Sequence, residues 1–409
     1  MAFLFVMALS WLCVDINAQV KKENQWLRES LTETDSIGVP DSDDLTVSLI
    51  TCYPGSEIYE LCGHAAIRVR GEKIDSVWNF GMFDFNQPNF IYRFVKGETD
   101  YMCVSYPFSW FMREYVERGS KVVEQDLNLS DPEINKLLDL LRFEALPENA
   151  TYRYNYVKDN CATRILDRLE ESTDEKVIYP DTVRYGTFRN EMRAFHSGYP
   201  WYQFGIDLAL GSGLDYPLNS REEMFVPVVM MENMGKTYFS DGRPMVKETR
   251  ILNEGTEDAV LPPTSWWLGP VFWSWVLTLL TFGVVAWDLK RGKITVAYYS
   301  VWFFLLGLAG CLISFLVFVS EHEATSPNVL IFWLNPLQFI FCVSALFRKL
   351  RSLAMAMAYY NVIASGIIMI VSPFITQSFN PAFYPLILST FALGLGYAII
   401  VIKTSYKRR

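Results

Sequence analysis

Cys161 stands in Lys158-Asp159-Asn160-Cys161-Ala162-Thr163-Arg164, and His64 in Gly63-His64-Ala65-Ala66-Ile67-Arg68. A thiol and an imidazole together can make a nucleophile and its base near neutral pH. After Cys161, Ile165, Leu166 and Leu169 recur at helical intervals. That spacing predicts a helix starting at Asp159 or Asn160, with one of them as N-cap. A thiol in the first turn meets the positive end of the helix dipole, which favours the thiolate. The same position offers backbone N–H groups to an oxyanion. His64 opens an alternating stretch, His64–Arg70, that reads as a strand. His196, in Phe195-His196-Ser197-Gly198, reads as a surface loop residue. By composition alone a lone Cys and a lone His are more often structural than catalytic, and that alternative stays open here. Other chemistries lack their residues. Three His in all, with no HExxH, CxxC, P-loop or GxSxG, point away from zinc, haem, nucleotide and serine-hydrolase sites. Neither a metal nor a cofactor is expected.

The elements that must position this pair begin at Leu45–Ile50, a strand pattern. Further strands are expected at His64–Arg70, Asp75–Phe80, Asp100–Tyr106 and Lys121–Leu127. Helices are expected at Ser109–Glu117, from Ser130, where Ser130 and Glu133 have capping-box spacing, and from Asp159 or Asn160. Early strands with interspersed helices give an α+β fold for residues 46–262. Residues 19–45 are polar and acidic and read as a flexible lead-in. Before them, the apolar run Ala2–Val14 and Ile16-Asn17-Ala18 have the shape of a secretory signal peptide over residues 1–18, although no Lys or Arg precedes the run, with a short membrane anchor as the alternative. Export to an oxidising compartment bears on Cys52, Cys62, Cys103 and Cys161, of which at most one disulfide remains if one is a working thiol. Whether Cys52 and Cys62 pair is left open.

Hydrophobic residues make up 51% of the 409, and charge thins sharply after about residue 262. Five uncharged stretches follow: Trp267–Trp287, Ile294–Val319, Val329–Phe347, Ala354–Phe374 and Phe383–Ile402. Each approaches the roughly 20 residues needed to cross a bilayer. Every second loop is basic: Lys290, Arg291 and Lys293; Arg348, Lys349 and Arg351; Lys403 and Lys407 to Arg409. By the positive-inside rule these are cytoplasmic, which puts residues 46–262 outside, as a signal peptide would. Trp266, Trp267, Trp273 and Trp275 cluster at the outer end of the first span, as interfacial aromatics do. Residues 263–409 thus form an all-α five-helix membrane domain, with Asn335-Pro336 and Asn361 as a kink and an interhelical hydrogen bond. A net charge of −9 argues against nucleic acid as a partner.

Several motifs together resemble one family. They are Thr51–Ser56, Gly63–Val69, Asn79–Phe85, Tyr154-Asn155-Tyr156 before Asp159–Arg164, Gly205–Leu208 and Met224–Pro227. The chain from about Leu45 to its end is similar to the Lnb-type lipoprotein N-acyltransferases, in which an exported domain precedes five membrane helices. The order His then Cys also resembles permuted papain-like enzymes such as the lecithin:retinol acyltransferase group and NlpC/P60 folds. The resemblance implies that His64 activates Cys161, which takes an acyl chain from a phospholipid as a thioester and passes it to the α-amine of a diacylglyceryl-cysteine lipoprotein. It implies a multi-pass protein of the bacterial inner membrane, its N-terminal domain in the periplasm and its C-terminus in the cytoplasm. A third residue should orient His64: Asn79 is chosen, with Asp75 and Asp84 as rivals and a turn before Gly81 as its bland role. Arg68 and Arg164 would contact the lipid phosphate unless they are plain surface residues. Asn160 would either join an oxyanion hole or only cap the helix. Two other functions are weighed: a membrane-anchored cysteine amidase or endopeptidase acting on peptidoglycan, and a non-enzymatic envelope sensor. The oligomeric state is not legible.

Overall fold

Residues 44–57, 60–83, 88–256, 260 and 262–406 are described by a computed structural model. The expected signal peptide, Cys13, nearly all of the lead-in and the rival Asp84 lie outside them. In order come β1 (Thr46–Cys52), β2 (His64–Arg70), β3 (Asp75–Met82), α1 (Phe90–Lys96), β4 (Asp100–Pro107), α2 (Phe108–Glu117) and β5 (Val122–Leu127). Then follow α3 (Asp131–Ala145), β6 (Thr151–Arg153), α4 (Cys161–Ser172), β7 (Val177–Ile178), α5 (Phe188–Phe195), α6 (Pro200–Ala209) and α7 (Ser220–Glu223). The chain continues through α8 (Pro227–Met234), β8 (Tyr238–Phe239), β9 (Val246–Asn253), α9 (Pro270–Arg291) and α10 (Val296–Phe318). It ends with α11 (Gln338–Ser344), α12 (Arg351–Val371) and α13 (Phe383–Tyr406).

Two units result. Among the described residues, one takes 44–195 together with Pro217–Pro262; the other joins His196–Tyr216 to 263–406. The stretch His196–Tyr216 groups with the helical unit.

The first unit is built on a seven-stranded antiparallel sheet in the order β6-β4-β3-β2-β1-β5-β9. Strand β1, Thr46-Val47-Ser48-Leu49-Ile50-Thr51-Cys52, is buried along almost its whole length because both faces of the sheet are covered. Val47 and Leu49 meet Leu137 and Leu141 of α3 and Ile165, Leu166 and Leu169 of α4 on one face. Ile50 and Cys52 meet Phe108, Phe111 and Tyr115 of α2 on the other. Each fully buried Leu or Phe contributes about 1.5–3 kcal/mol, so the packing of α4 onto the sheet holds the position of its first turn firmly. Helix α3 starts as expected, with the Ser130 backbone N–H and hydroxyl both donating to the Glu133 carboxylate (2.7 and 2.8 Å).

Among the described residues, four helices, all in the second unit, are long and apolar enough to cross a membrane: α9, α10, α12 with its flanking turns, and α13. The expected third span is the correction. Val329–Phe332 is a 3-10 turn, the helix breaks at Asn335-Pro336, and only Gln338–Ser344 is α-helical. Proline at 336 has no N–H to give, and the Asn335 amide instead caps freed backbone, donating to Ile331 O (3.1 Å) and the Tyr360 hydroxyl (2.8 Å). The broken segment still runs the length of α10 in the opposite sense. Asn335 packs on Gly310, Phe339 on Gly307, and the Ser300 hydroxyl donates to Cys342 O (3.2 Å). Asn361 and Gln338 exchange amide hydrogen bonds (2.8 and 3.1 Å), the interhelical link expected of Asn361.

Helix α6 belongs to this unit through specific contacts. Asn380 donates to the Asp207 carboxylate (2.9 Å), Asn328 to Leu208 O (3.1 Å), and the Trp201 indole to Leu268 O (2.7 Å). His196, expected at the surface, is fully buried beside it, with Nδ1 on the Gln203 amide oxygen (2.8 Å). Local polarity suggested a loop; the partner that buries the ring lies seven residues on.

Candidate active site

His64 is the first residue of β2. In the β2–β3 ladder Ala66 faces Asn79, so His64 is the diagonal neighbour of Asn79 on the same face of the sheet. The imidazole Nε2 lies 2.6 Å from Asn79 Oδ1. One strand further, Asn79 faces Val104, and the Asn79 Nδ2 donates to the Tyr106 hydroxyl (2.7 Å), again on the diagonal. Because Nδ2 is the donating end, Oδ1 is the acceptor, and the ring proton sits on Nε2. Three adjacent strands thus hold a row of His, Asn and Tyr, and Nδ1 is the nitrogen left to meet the thiol.

Cys161 is the first residue of α4. Asn160 caps the helix: its Oδ1 accepts from Ala162 N (2.9 Å) and Thr163 N (3.0 Å), while the Thr163 hydroxyl accepts from Asn160 N (2.8 Å). Its Nδ2 donates to Tyr156 O (2.8 Å) and Phe225 O (3.0 Å). The loop before it is equally set, since Asn155 Oδ1 receives the N–H groups of Val157 and Lys158 (3.2 Å each) and Asn155 pairs with Asp159. On the other side, β3 departs from regular pairing between Asn79 and Met82, and Gly81 takes φ 90°. A Cβ on Gly81 would lie 3.9 Å from that of Cys161, so the bulge brings bare backbone alongside the thiol. Both Cys161 and His64 stay partly exposed.

Burial pushes the Cys161 thiol up, but His64 outweighs it through charge and a hydrogen bond, helped by the N–H groups of Ala65 and Ala162; the net direction is below the ordinary thiol range. Burial likewise opposes charge on His64, and the Cys161 charge, its hydrogen bond and that of Asn79 overcome it, so the imidazole lies above its ordinary value. Each ring or sulfur stabilises the charged form of the other, which is an ion pair in the making. The other three thiols of this unit behave oppositely. Burial drives Cys52 and Cys103 well up and Cys62 to about 12, with Tyr156 tempering the last. Cys52, Cys62, Cys103 and Cys161 are all free.

The structure therefore brings His64, Asn79 and Cys161 together. It gives the other expected residues different work. Arg68 donates to Asp75 (2.6 and 2.8 Å) and Glu124 (2.9 Å) and lies 3.6 Å over the Phe108 ring. Arg164 donates to Asp159 (2.6 and 3.0 Å) and Glu144 (3.2 Å) over Tyr152. All three nitrogens of each guanidinium are engaged within the domain, so the lipid-phosphate role is withdrawn for both. Asn160 is buried and fully used as a cap, which removes it from substrate binding. Asp75, the rival to Asn79, is taken by Arg68. Sequence reading missed Tyr106, Gly81 and the Ala65 N–H. The first was within reach, for Tyr106 sits on an expected strand; the other two depend on a register and a bulge that no local pattern carries.

Residues 38–190 match the Lnb N-terminal periplasmic domain, and residues 263–407 match the Lnb transmembrane domain. Neither the curated proteins nor the solved structures contain a match to the chain. The periplasmic match encloses His64, Asn79 and Cys161, and the two matches follow one another in the order of the two halves described above. The chain belongs to the Lnb family of lipoprotein N-acyltransferases, proteins with a periplasmic domain joined to a transmembrane one.

Proposed function

We propose that this protein moves an acyl chain from a phospholipid to the α-amine of a diacylated lipoprotein through a thioester on Cys161. The observation that carries the reading is the pairing of a favoured thiolate at the head of α4 with an imidazole whose tautomer is set by Asn79. The Cys161 thiolate attacks the ester carbonyl of the donor. The carbon–oxygen bond breaks, and the lysophospholipid alkoxide leaves with the proton of the His64 imidazolium. A neutral lipoprotein amine then attacks the thioester, His64 takes its proton, and the thiolate departs as the amide forms. The pair returns to its starting charges with no added co-reactant. Thiolate is a good leaving group, which suits an amine acceptor. The N–H groups of Ala65 and Ala162, which already favour negative charge on the sulfur, are candidate donors for the oxyanion, Ala162 sharing its N–H with the Asn160 cap. Both substrates are lipids of the outer leaflet of the inner membrane, where the helical unit tethers the enzyme. The basic loops support a C-terminus in the cytoplasm.

The test is intact-mass analysis of the full-length protein mixed with phospholipid. A hydroxylamine-sensitive acyl adduct on Cys161, discharged by a diacylated lipopeptide, is the expected result. Cys161→Ala should give no adduct, and His64→Ala should slow acylation on the order of a thousandfold. An unacylated Cys161, or released muropeptide fragments from cell wall, would end this reading.

A further inference from the structure

Helix α1 presents an unusual surface. None of its residues is buried, and Ile91, Tyr92 and Phe94 are 54%, 53% and 49% exposed. Large apolar side chains grouped in this way on a water-facing helix mark a surface that meets something apolar. Its cations do not make it a phosphate site: Arg93 donates to Asp100 (3.1 Å) and Lys96 pairs with Glu98. What remains on the outer face is hydrocarbon and aromatic ring.

This surface is continuous with the active site. Two residues beyond Gly81, whose backbone flanks Cys161, the Phe83 ring lies 4.7 Å from Tyr101 and 5.9 Å from Phe90. Phe90 lies 6.1 Å from Phe94, and Tyr101 stacks at 4.0 Å on Tyr154, a partly buried ring that packs on the same core as Cys161. A file of rings, with Tyr101 buried within it, therefore runs from the strand that carries Gly81 to the exposed face of α1. A hydrated or charged ligand gains nothing from such a file; a long alkyl chain does.

We propose that α1 enters the outer leaflet, and that Phe94, Phe90 and Phe83, with Tyr101 buried beneath them, form the bed along which the donor's acyl chain lies while its ester meets Cys161. This deepens the transferase reading and rests on it for the identity of the ester. The occupant is the acyl chain of a bilayer phospholipid. The membrane is the partner to which the chain is committed by its family, and the file leads from that partner's substrate to the nucleophile.

Two measurements on the full-length protein in phosphatidylethanolamine–phosphatidylglycerol vesicles test it. First, a phospholipid bearing a diazirine in its acyl chain is photolysed with the Cys161→Ala variant, and labelled peptides are mapped. Label on residues 90–96 is expected; label confined to the membrane spans overturns the proposal. So does crosslinking of α1 to a second copy in place of lipid. Second, acylation of Cys161 is compared for vesicle phospholipid and for water-soluble p-nitrophenyl butyrate. In the double variant Ile91→Asp, Phe94→Asp the ratio of lipid to butyrate reaction should fall at least about tenfold. An unchanged ratio, whether both rates hold or both fall, overturns the proposal. The photolabel does not need Cys161, so labelled α1 with no acyl adduct from phospholipid would remove the transferase reading and leave this surface standing.

Discussion

Asn79 shows how one amide can set the charge state of two other groups. Its Nδ2 is committed to Tyr106, so only Oδ1 faces His64, and Nε2 must carry a proton in either ionisation state. The pair's pH behaviour follows with its sign. Cys161 lies below the ordinary thiol range, so thiolate is lost only as pH falls through that lowered value. His64 lies above the ordinary imidazole value, so its proton is lost as pH rises through the raised one. Acylation should therefore be bell-shaped against pH, with an acid limb below the usual thiol range and an alkaline limb above the usual imidazole value, both limbs belonging to the coupled pair. Asn79→Ala removes a hydrogen bond to a charged ring and should slow acylation about tenfold to a hundredfold while narrowing the plateau. Asn79→Asp should move the alkaline limb to higher pH, since a carboxylate favours the imidazolium. A rate loss with both limbs unmoved would mean that Asn79 only packs. Cys161 and His64 were legible as residue types, and Asn79 as a choice among three. What sequence could not convey is that the arginines of the same motifs were spoken for: Glu124 and Glu144 lie 56 and 20 residues from them.

Elements were readable wherever a local rule decides them. The bounds of β2 agree with the alternation of His64–Arg70, and α4 begins one residue after its Asn cap. The third span is a broken rather than a continuous helix for a physical reason: hydropathy counts apolar side chains and is blind to where the backbone hydrogen bonds go. Gly310 is the counterpart of that break. A Cβ there would sit 2.3 Å from the Asn335 backbone, whereas at Gly283 of α9 nothing lies within 4 Å. Gly310→Ala should accordingly cost about 1–3 kcal/mol of overpacking and lower the thermal midpoint in detergent. Gly283→Ala should leave the midpoint equal or raised. Equal behaviour of the two would show that α10 and the broken segment do not pack this closely.

At the scale of the whole molecule, orientation turns on whether the broken segment counts as a crossing. Its antiparallel course along α10 favours counting it, and with the orientation proposed from the basic loops five passages would end in the cytoplasm. Green fluorescent protein appended after Arg409 should then fluoresce, and alkaline phosphatase at the same place should be silent. Active phosphatase there would mean four passages. Domain order was legible from hydropathy and charge; the excursion of His196–Tyr216 was not, because Asp207 meets Asn380 far along the chain, 173 residues away. That excursion has a consequence in time. A ribosome finishes residues 217–262 and with them the first unit, yet α6 has no seat until the spans emerge, about 150 residues and on the order of ten seconds later. For that interval Trp201, Phe204 and Leu208 hang from a folded enzyme as a sticky loop, and the nascent chain needs shelter at the translocon until its last helices arrive.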